Sequence, residues 1–482
     1  MKRLIISLLF SVTVTFTQDT TWTKTFGGDG GGTDIGYSVK QTTDGGYIIT
    51  GITDFYPTTG IDGDVLLLKV DSIGTEEWTQ KFGGNSEYIY DEGKSVQQTS
   101  DGGYIITGIT ENSNNGTSVL LIKTDYMGTE EWRQTYIDFS INEGHYVEQM
   151  SDGGFIIMGY SALGPTGYGT YDFLLLKTDS LGNEEWTQLH GDVNTIDVGY
   201  HGQQTTDGGF IIVGESDGSE VMLIKTDTQG DEEWSQTFGD GTSEGYCVQQ
   251  TIDGGYIITG ITNFNSNGYY DIYLIKTNSS GAEQWSRNFG GSGWEYGYSV
   301  KQTSDGGFII AGHTTSYGLG GDAWIIKTNS NGNEEWNQTY HRGGSDFAYS
   351  VEQTTDGGFV FVGKTGSSNI DVLMVKIAPE IEVGINEVLF TKYSIHQNYP
   401  NPFNPETTLR YDLPENSLVN ITIYDMLGRE VKTLINHTQD AGYRSVIWDA
   451  TNDYGKPVSA GVYLYQIQAG EFVQTKKMVL LK

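Results

Sequence analysis

Residues 93–108 read Gly93-Lys94-Ser95-Val96-Gln97-Gln98-Thr99-Ser100-Asp101-Gly102-Gly103-Tyr104-Ile105-Ile106-Thr107-Gly108. The stretch predicts a β-hairpin, because Asp-Gly tolerates the positive φ angles of a tight turn and the flanking runs are rich in strand-forming residues. After a variable loop, residues 119–123 predict a third strand, and residues 130–134 begin a fourth behind a second short turn at Gly128. The unit is therefore predicted to be a four-stranded antiparallel sheet.

The unit occurs seven times, each copy about fifty residues long, and three landmarks mark the copies. A tryptophan lies on the fourth strand, at Trp22, Trp78, Trp132, Trp186, Trp234, Trp285 and Trp336. Asp-Gly-Gly forms the hairpin turn, at Asp44, Asp101, Asp152, Asp207, Asp253, Asp305 and Asp356. A lysine ends the third strand, at Lys69, Lys123, Lys177, Lys225, Lys276, Lys327 and Lys376.

Along the chain, the first landmark is Trp22, which has no unit before it, and the last is Lys376, which has no tryptophan strand after it. The N-terminal strand therefore supplies the fourth strand that the last unit lacks. This arrangement predicts a seven-bladed β-propeller closed by the N-terminal strand. The second and third strands are apolar on both faces, as expected where successive blades pack face to face. The spacing Gly-x-x-x-Trp, from Gly74 to Trp78 and in later copies, resembles the tryptophan-docking motif of quinoprotein propellers, in which the indole wedges against the neighbouring blade.

The N-terminus and the composition point to an exported protein. Lys2 and Arg3 precede the apolar residues 4–10, which predicts a signal peptide at residues 1–18, and no other stretch is expected to span a membrane. The net charge of −35 makes nucleic acid and anionic lipid poor partners, and favours a solvated exterior over an acidic recognition surface. Cys247 is the only cysteine, so no internal disulfide is expected.

The C-terminal residues differ sharply in composition, since six of the eight prolines follow Lys376. Four motifs occur here: residues 398–405 (Asn-Tyr-Pro-Asn-Pro-Phe-Asn-Pro), residues 423–431 (Ile-Tyr-Asp-Met-Leu-Gly-Arg-Glu-Val), residues 461–465 (Gly-Val-Tyr-Leu-Tyr) and residues 476–479 (Lys-Lys-Met-Val). In order and spacing they resemble the type A C-terminal sorting domain of type IX secretion substrates, which is similar to a small immunoglobulin-like β-sandwich.

That resemblance implies an export route. The chain would divide into a signal peptide (1–18), a propeller (19–377), a linker (378–392) and a sorting domain (393–482). The type IX machinery would read the tail after passage through the periplasm, and the cargo would be attached to surface lipopolysaccharide or released. A plain sandwich domain without an address role is the alternative.

Candidate binding residues are those that break the repeat, because no Ser-His-Asp order, His-Glu-x-x-His, phosphate loop or Cys-x-x-Cys motif is present. No catalytic residue is predicted. On the first strand, a position that is usually serine becomes Tyr146, His201 and Cys247, and the position before it, usually tyrosine, becomes Lys94 and His145. These residues could line one side of a channel mouth and bind a ligand or a metal. Drift at a tolerant position is the alternative, since alternate strand residues point to opposite sheet faces.

Aromatic residues among Gly, Ser and Asn in the variable loops form a second candidate set, at Phe55, Tyr56, Tyr168, Tyr171, Phe264, Tyr269, Tyr270, Trp294, Tyr296 and Tyr317. Tyr269, Tyr270 and Trp294 are the predicted binding residues of this set. The mixture suits stacking on sugars or contact with a partner protein, and also suits capping of the blade ends.

No cofactor is predicted, with calcium as an option at Asp62-Gly63-Asp64 and at Asn263-x-Asn265-x-Asn267-Gly268, although both motifs are poor in carboxylates. The sequence predicts a secreted or cell-surface binding or adhesion protein without catalytic activity, whose ligand is a glycan or a surface protein. The alternatives are a secreted propeller hydrolase or lyase acting on polysaccharide, and a structural surface-layer component.

Overall fold

The computed structural model describes residues 19–27, 32–55, 63–83, 90–111, 116–136, 141–162, 170–191, 195–239, 241–266, 268–367, 369–379, 393–439, 442–470 and 472–481. The predicted signal peptide, most of the predicted linker, and Tyr56, Asp62, Tyr168 and Asn267 lie outside the described residues. Contacts divide the chain into two units, residues 1–380 and 381–482. All regular structure in the described residues is β-strand. Nowhere in the described part of the chain is there a helix long and apolar enough to cross a membrane.

The first unit contains seven four-stranded antiparallel sheets. The N-terminal strand is β1 (Thr20–Phe26). Blade 1 follows with β2 (Thr33–Gln41), β3 (Tyr47–Phe55), β4 (Asp64–Val70) and β5 (Glu76–Phe82). Blade 2 has β6 (Asp91–Gln98), β7 (Tyr104–Glu111), β8 (Thr117–Thr124) and β9 (Glu130–Tyr136). Blade 3 has β10 (Asn142–Gln149), β11 (Phe155–Ser161), β12 (Asp172–Thr178) and β13 (Glu184–His190).

The remaining blades repeat the same order. Blade 4 has β14 (Asp197–Gln204), β15 (Phe210–Ser216), β16 (Glu220–Thr226) and β17 (Glu232–Phe238). Blade 5 has β18 (Ser243–Gln250), β19 (Tyr256–Thr262), β20 (Asp271–Thr277) and β21 (Glu283–Phe289). Blade 6 has β22 (Glu295–Gln302), β23 (Phe308–Thr314), β24 (Asp322–Thr328) and β25 (Glu334–Tyr340). Blade 7 has β26 (Phe347–Gln353), β27 (Phe359–Thr365) and β28 (Asp371–Ile377), with β1 as its fourth strand.

The pairing expected between the two ends of the repeat region is present. Strand β1 runs antiparallel to β28, with Trp22 opposite Lys376 and Phe26 opposite Val372. A buried cluster combines blade 1 residues such as Val39 with blade 7 residues such as Met374, and Trp22 packs against it. Blade 7 is therefore built from residues at both ends of the repeat region, and blade 1 packs against it.

Two of the three sequence landmarks, the lysine and the turn aspartate, form an ion pair in each blade. In blade 2, buried Lys123 lies with its Nζ 2.9 Å from Asp101 and 3.0 Å from Glu131. The same triad of lysine, turn aspartate and strand glutamate occurs at Lys69, Lys177, Lys225 and Lys327. Gln284 replaces the glutamate beside Lys276, and Thr21 replaces it beside Lys376. The charge of each buried lysine is thus balanced by the aspartate of the Asp-Gly-Gly turn in the same blade.

Neighbouring blades are joined through the glutamine that ends each first strand. The side-chain oxygen of Gln98 accepts a hydrogen bond from the Thr43 N–H at 2.9 Å, from blade 1 to blade 2. The equivalent bond from blade 7 to blade 1 joins Thr355 N–H to Gln41 at 2.9 Å. The indoles also cross between blades, since a Cβ on Gly128 would come within 2.6 Å of the Trp78 ring. Glycine, with φ of 76° at this position, leaves the space that the neighbouring indole fills.

The second unit is an immunoglobulin-like β-sandwich. Its strands are β29 (Ser394–Ile395), β30 (Thr407–Leu413), β31 (Ser417–Asp425), β32 (Glu430–Gln439), β33 (Gly442–Trp448), β34 (Gly461–Ala469) and β35 (Phe472–Leu480). One sheet has the order β29-β30-β33 and the other β32-β31-β34-β35. Between them lies a core that includes Trp448, Tyr465 and Phe403.

Candidate functional site

A cavity of about 310 Å³ lies among the first strands of all seven blades, and each of these strands contributes to its lining. The propeller topology explains the location, because the first strand of every blade lies innermost and seven such strands surround one axis. Its walls are side chains of the repeat itself. It is one of two candidate sites of the propeller, the other being a cluster of exposed loop aromatics described below.

A β-bulge sets which side chains enter this cavity. Strict alternation would send neighbours such as His145 and Tyr146 to opposite faces of the sheet. Both line the cavity, because the register of β10 against β11 shifts between Gly144 and Tyr146. The same shift occurs at the equivalent position of the other first strands. A bulge adds one residue to the strand and re-aims its side chains, so the alternation argument fails at this point.

The upper layer of the cavity, toward the beginning of the first strands, consists of six aromatic side chains and one lysine, which we call the collar. Its members are Tyr37, Lys94, His145, Tyr200, Tyr246, Tyr298 and Tyr349. From His145 through the tyrosines to Tyr37, neighbouring ring centroids are 5.0–5.8 Å apart. The Lys94 ammonium lies 4.6 Å from the Tyr37 ring centroid, in cation–π geometry. The collar is thus a continuous series of contacts that involves every blade.

Two members of the collar form pairs with acidic residues. Lys94 Nζ lies 2.9 Å from Glu92, and His145 Nε2 lies 3.1 Å from Glu143. Burial opposes ionisation of Glu143, but the hydrogen bond and charge of His145 and the hydroxyl of Tyr160 lower its pKa to about 2. Glu143 is therefore ionised at neutral pH, whereas a general acid needs a raised pKa.

The second layer contains Ser38, Ser95, Tyr146, His201, Cys247, Ser299 and Ser350, and most of these side chains contact the next blade. The Ser95 hydroxyl accepts a long hydrogen bond of 3.4 Å from Val147 N–H, and the Cys247 thiol lies 3.7 Å from the Val300 carbonyl. The Nδ1 of His201 lies 3.5 Å from Val248 N–H, which makes it an acceptor. Burial, then the charges of Lys301 and Lys40, lower the pKa of His201 well below its usual value. The imidazole is therefore neutral and joins blades.

The lower layer carries charge on blades 6, 7 and 1. Glu352 forms an ion pair with Lys40, and its carboxylate lies 3.6 Å from Lys301 Nζ. Burial opposes ionisation of Glu352, but Lys301 and Lys40 lower its pKa. Two cations therefore share one carboxylate at the lower end of the cavity.

The structure brings together five residues singled out from the sequence, Lys94, His145, Tyr146, His201 and Cys247. They lie on the first strands of the consecutive blades 2 to 5, and serines and tyrosines of the other blades complete the lining. Sequence reasoning missed the five collar tyrosines and the charged group around Glu352. The sequence signal of the tyrosines is their recurrence at one position of the repeat, whereas the position of Glu352 varies between blades. Binding of a ligand by these residues stays a prediction.

The other three predicted residues form a separate cluster between blades 5 and 6, which we call the aromatic platform. The rings of Tyr269 and Trp294 are stacked, with centroids 4.9 Å apart and an interplanar angle of 13°. The ring centroid of Tyr270 lies 5.2 Å from that of Trp294, with an interplanar angle of 41°. Tyr269 is 62% exposed and Trp294 40% exposed, so the platform presents aromatic surface to solvent.

Other loop aromatics serve as caps. Phe55 packs edge-on against Tyr90 of the next connection, with centroids 5.7 Å apart. Tyr171 packs in the same way against Tyr160 at 5.4 Å. The two interpretations of the loop aromatics therefore apply to different residues, with capping at these positions and exposed surface at the platform.

Two residues of the calcium motifs, Asp62 and Asn267, lie outside the described residues. Asn263 Oδ1 accepts a hydrogen bond from Thr242 N–H at 3.0 Å, so this oxygen joins two loops. Burial, then the charge of Asp54, raises the pKa of Asp64.

Comparison with known proteins describes the parts of the chain separately. Residues 404–471 match the FlgD Ig-like domain family. No curated protein matches the sequence. Solved structures with similar architecture include PorZ, an essential bacterial surface component of the type-IX secretion system of Porphyromonas gingivalis (TM-score 0.43, 11% identity, 95% of this chain and 60% of PorZ). A protein of unknown function from Bacteroides caccae (TM-score 0.37, 12% identity, 57% of this chain and 90% of that one) is also similar.

A third similar structure is that of puromycin hydrolase (TM-score 0.45, 10% identity, 79% of this chain and 59% of the hydrolase). The chain thus spans about 60% of the length of PorZ and of the hydrolase. At these identities and TM-scores the likenesses carry no argument about function.

Proposed function

We propose that this protein is a secreted or cell-surface binding protein that recognises a glycan through the aromatic platform. The observation that carries the proposal is the stacked, exposed pair of Tyr269 and Trp294. An aromatic ring offers a flat apolar face to the C–H groups of a sugar, and large exposed aromatics are enriched at binding surfaces. Neither ring is needed to fill the core, so the exposed area calls for another explanation.

The platform is held rigidly, which favours binding. Tyr269 N–H donates to the Gly293 carbonyl at 3.0 Å, and Glu295 N–H donates to the Tyr270 carbonyl at 2.9 Å. Trp294 N–H donates to the Thr315 hydroxyl at 2.7 Å, from the loop of blade 6. Three segments are therefore tied together beneath the rings. A surface that is ordered before the ligand arrives loses less conformational entropy on binding.

The location agrees with the division of the propeller into two faces. The Asp-Gly-Gly turn is short in every blade, and the turn before the tryptophan strand is short in blades 1 to 6. Both satisfy their hydrogen bonds internally, as in Gly103 N–H to Asp101 and Thr129 N–H to Asp125. The variable loops that carry the platform lie at the opposite ends of the strands, because successive strands alternate in direction. Loops positioned on a rigid scaffold are where binding residues concentrate.

Replacing Tyr269 or Trp294 by alanine should weaken glycan binding about tenfold or more, about 1.4 kcal/mol or more, with little change in melting temperature. A glycan array probed with the purified full-length mature protein would find the ligand, and titration of the variants would measure the loss. Tyr126→Ala is the matched control, because Tyr126 is 68% exposed in a tight turn on the other face.

Equal loss of binding in Tyr126→Ala would place the ligand elsewhere. A silent array, with binding to cells that protease treatment abolishes, would assign the platform to a protein partner. Release of shortened sugars from a bound glycan would make the protein the polysaccharide hydrolase or lyase that the sequence left open.

We propose further that residues 393–482 direct export through the type IX machinery to the cell surface or the medium. Two groups of residues support a defined recognition domain. In the first motif, Asn398 Nδ2 donates to Thr407 Oγ1 at 2.9 Å and Phe403 packs on Trp448 with centroids 5.6 Å apart, which ties this proline-rich segment to the sandwich. In the last motif, Lys477 is exposed on β35, an edge strand of its sheet. The ordered proline-rich motif and the exposed lysine motif suit a surface that another protein recognises.

Deletion of residues 393–482 should leave a folded propeller that accumulates in the periplasm, because the propeller has its own core and the segment that directs export is removed. Cell fractionation with immunodetection measures the distribution. Comparison of Lys477→Ala with Lys456→Ala distinguishes a specific role of the motif from a general effect of removing a positive charge. Both lysines are exposed in the tail, but only Lys477 lies in the motif. Normal amounts of the truncated protein outside the cell would contradict an address role for the tail.

A further inference from the structure

Buried or partly buried acidic side chains meet where adjacent blades join on the variable-loop face. The first residue of a third strand approaches a residue close to the start of the next first strand at these junctions. Four junctions combine two carboxylates in this way: Asp371 with Asp34, Asp172 with Asp197, Asp271 with Glu295, and Asp322 with Asp346. Carboxylates at such positions need a compensating donor or cation, because burial disfavours their charge.

Three of these junctions have glycine at the residue that follows the outer strand. A Cβ at Gly27, Gly191 or Gly290 would come within 2.2, 2.5 and 2.1 Å of a carboxylate oxygen, respectively. The carboxylates therefore lie directly against this backbone. At the fourth junction the equivalent residue is His341, which brings an imidazole to the two aspartates.

The geometry of this cluster resembles a set of metal ligands. His341 Nδ1 lies 2.7 Å from Asp322 Oδ1 and 3.6 Å from Asp346 Oδ2. One potential ligand atom from each of the three residues falls within 4.8 Å of the others. Two ligands on one zinc ion, each about 2.0–2.2 Å from it, lie about 3.3–4 Å apart, so small side-chain movements would complete the site.

The hydrogen bonds of the two aspartates leave room for a cation. Both side chains are fully buried. Asp322 Oδ2 accepts from Leu319 N–H at 3.0 Å, and Asp346 Oδ2 accepts from Arg342 N–H at 2.9 Å, which orients the two groups. Asp346 Oδ1 is buried without a hydrogen-bond partner among the described atoms. An unpaired buried carboxylate oxygen is unfavourable, and a bound cation would satisfy it.

We propose that Asp322, His341 and Asp346 bind a divalent transition-metal ion of the zinc type. An imidazole nitrogen with two carboxylates is a donor set that zinc accepts, whereas calcium prefers oxygen alone. The ion takes the place of the Nδ1 proton, which leaves to solvent. His341 is 34% exposed, so water can reach the ion as a fourth ligand. Because Asp322 and His341 belong to blade 6 and Asp346 precedes the first strand of blade 7, the ion joins two blades.

The test is titration of the chelator-treated full-length chain, without a histidine tag, with Zn²⁺, Mn²⁺ and Ca²⁺ by calorimetry. We expect each chain to bind one Zn²⁺ ion at this cluster. Free Zn²⁺ at a hundred times the dissociation constant should raise the melting temperature by about 1–4 °C. His341→Gly introduces the glycine that the other three junctions have at this position. It should abolish zinc binding at the cluster and leave the circular dichroism spectrum unchanged. Asp346→Asn should weaken it at least tenfold.

Asp172→Asn is the matched control at a junction with glycine, and it should leave zinc binding unchanged. Two results would overturn the proposal: no saturable Zn²⁺ binding at 100 µM metal, or zinc binding of unchanged stoichiometry in both His341→Gly and Asp346→Asn. Should His341→Gly fail to fold, Asp346→Asn and His341→Gln decide the question in the same way. Preference for Ca²⁺ over Zn²⁺ at this cluster would also contradict the assigned metal class.

Discussion

Replacing Trp22 by alanine should lower the free energy of unfolding by about 3 kcal/mol and release the strand pairing between the two ends of the repeat region. The value is at the lower end of the range for Trp→Ala, because the indole is only partly buried. It packs against Tyr47 of blade 1, with ring centroids 6.1 Å apart, and against the backbone at Gly74. Chemical denaturation measures the first effect, and hydrogen exchange at residues 371–377 the second.

Trp132→Ala is the matched control for this prediction. Trp132 is also partly buried and packs on Phe155 and Gly182 in the same way, but its strand is joined to its own blade by a tight turn. Its replacement should cost similar packing energy and leave exchange at residues 371–377 slow. Slow exchange at these residues in Trp22→Ala as well would show that β1 is not what protects the edge of β28.

Acid should unfold the propeller as the pH falls from about 4 to 2, through the seven turn aspartates. For Asp101, burial opposes ionisation, but Thr99, Lys123 and the Gly103 N–H lower the pKa to about 2. The pKa of each of the other six, Asp44, Asp152, Asp207, Asp253, Asp305 and Asp356, is also lowered. A lowered folded-state pKa stabilises the fold above the unfolded value near 4, and this stabilisation is lost as the pH falls through the folded value.

The side chains are half-exposed, so solvent screening limits each contribution to about 0.5–1 kcal/mol, and seven copies sum to several kcal/mol. Asp101→Asn provides the control: it should be less stable than the natural protein at pH 7, and most of the difference should be lost by pH 2. Denaturant unfolding at several pH values measures both. A stability difference that is the same at pH 7 and pH 2 would mean that ionisation of Asp101 contributes nothing.

The candidate sites show where sequence reasoning reached its limit. Tyr269, Tyr270 and Trp294 were found because exposed aromatics in polar loops are unusual, and the platform consists of them. The collar tyrosines were not singled out, because they recur at one position of the repeat, whereas Lys94 and His145 depart from it. The cluster of Asp322, His341 and Asp346 carried no motif, because its residues meet only across the junction of two blades.

The sequence by itself determined the strands, the tight turns, the number of blades and the partner of Trp22. These follow from patterns within some fifty residues: a two-residue period, turn glycines and a repeated order of landmarks. The tertiary structure alone decided which side chains face the central cavity and which acids meet at the junctions. A bulge of one residue reverses the direction of a side chain, and strands from seven blades converge on one axis, so neither result is encoded in the pattern of any single unit.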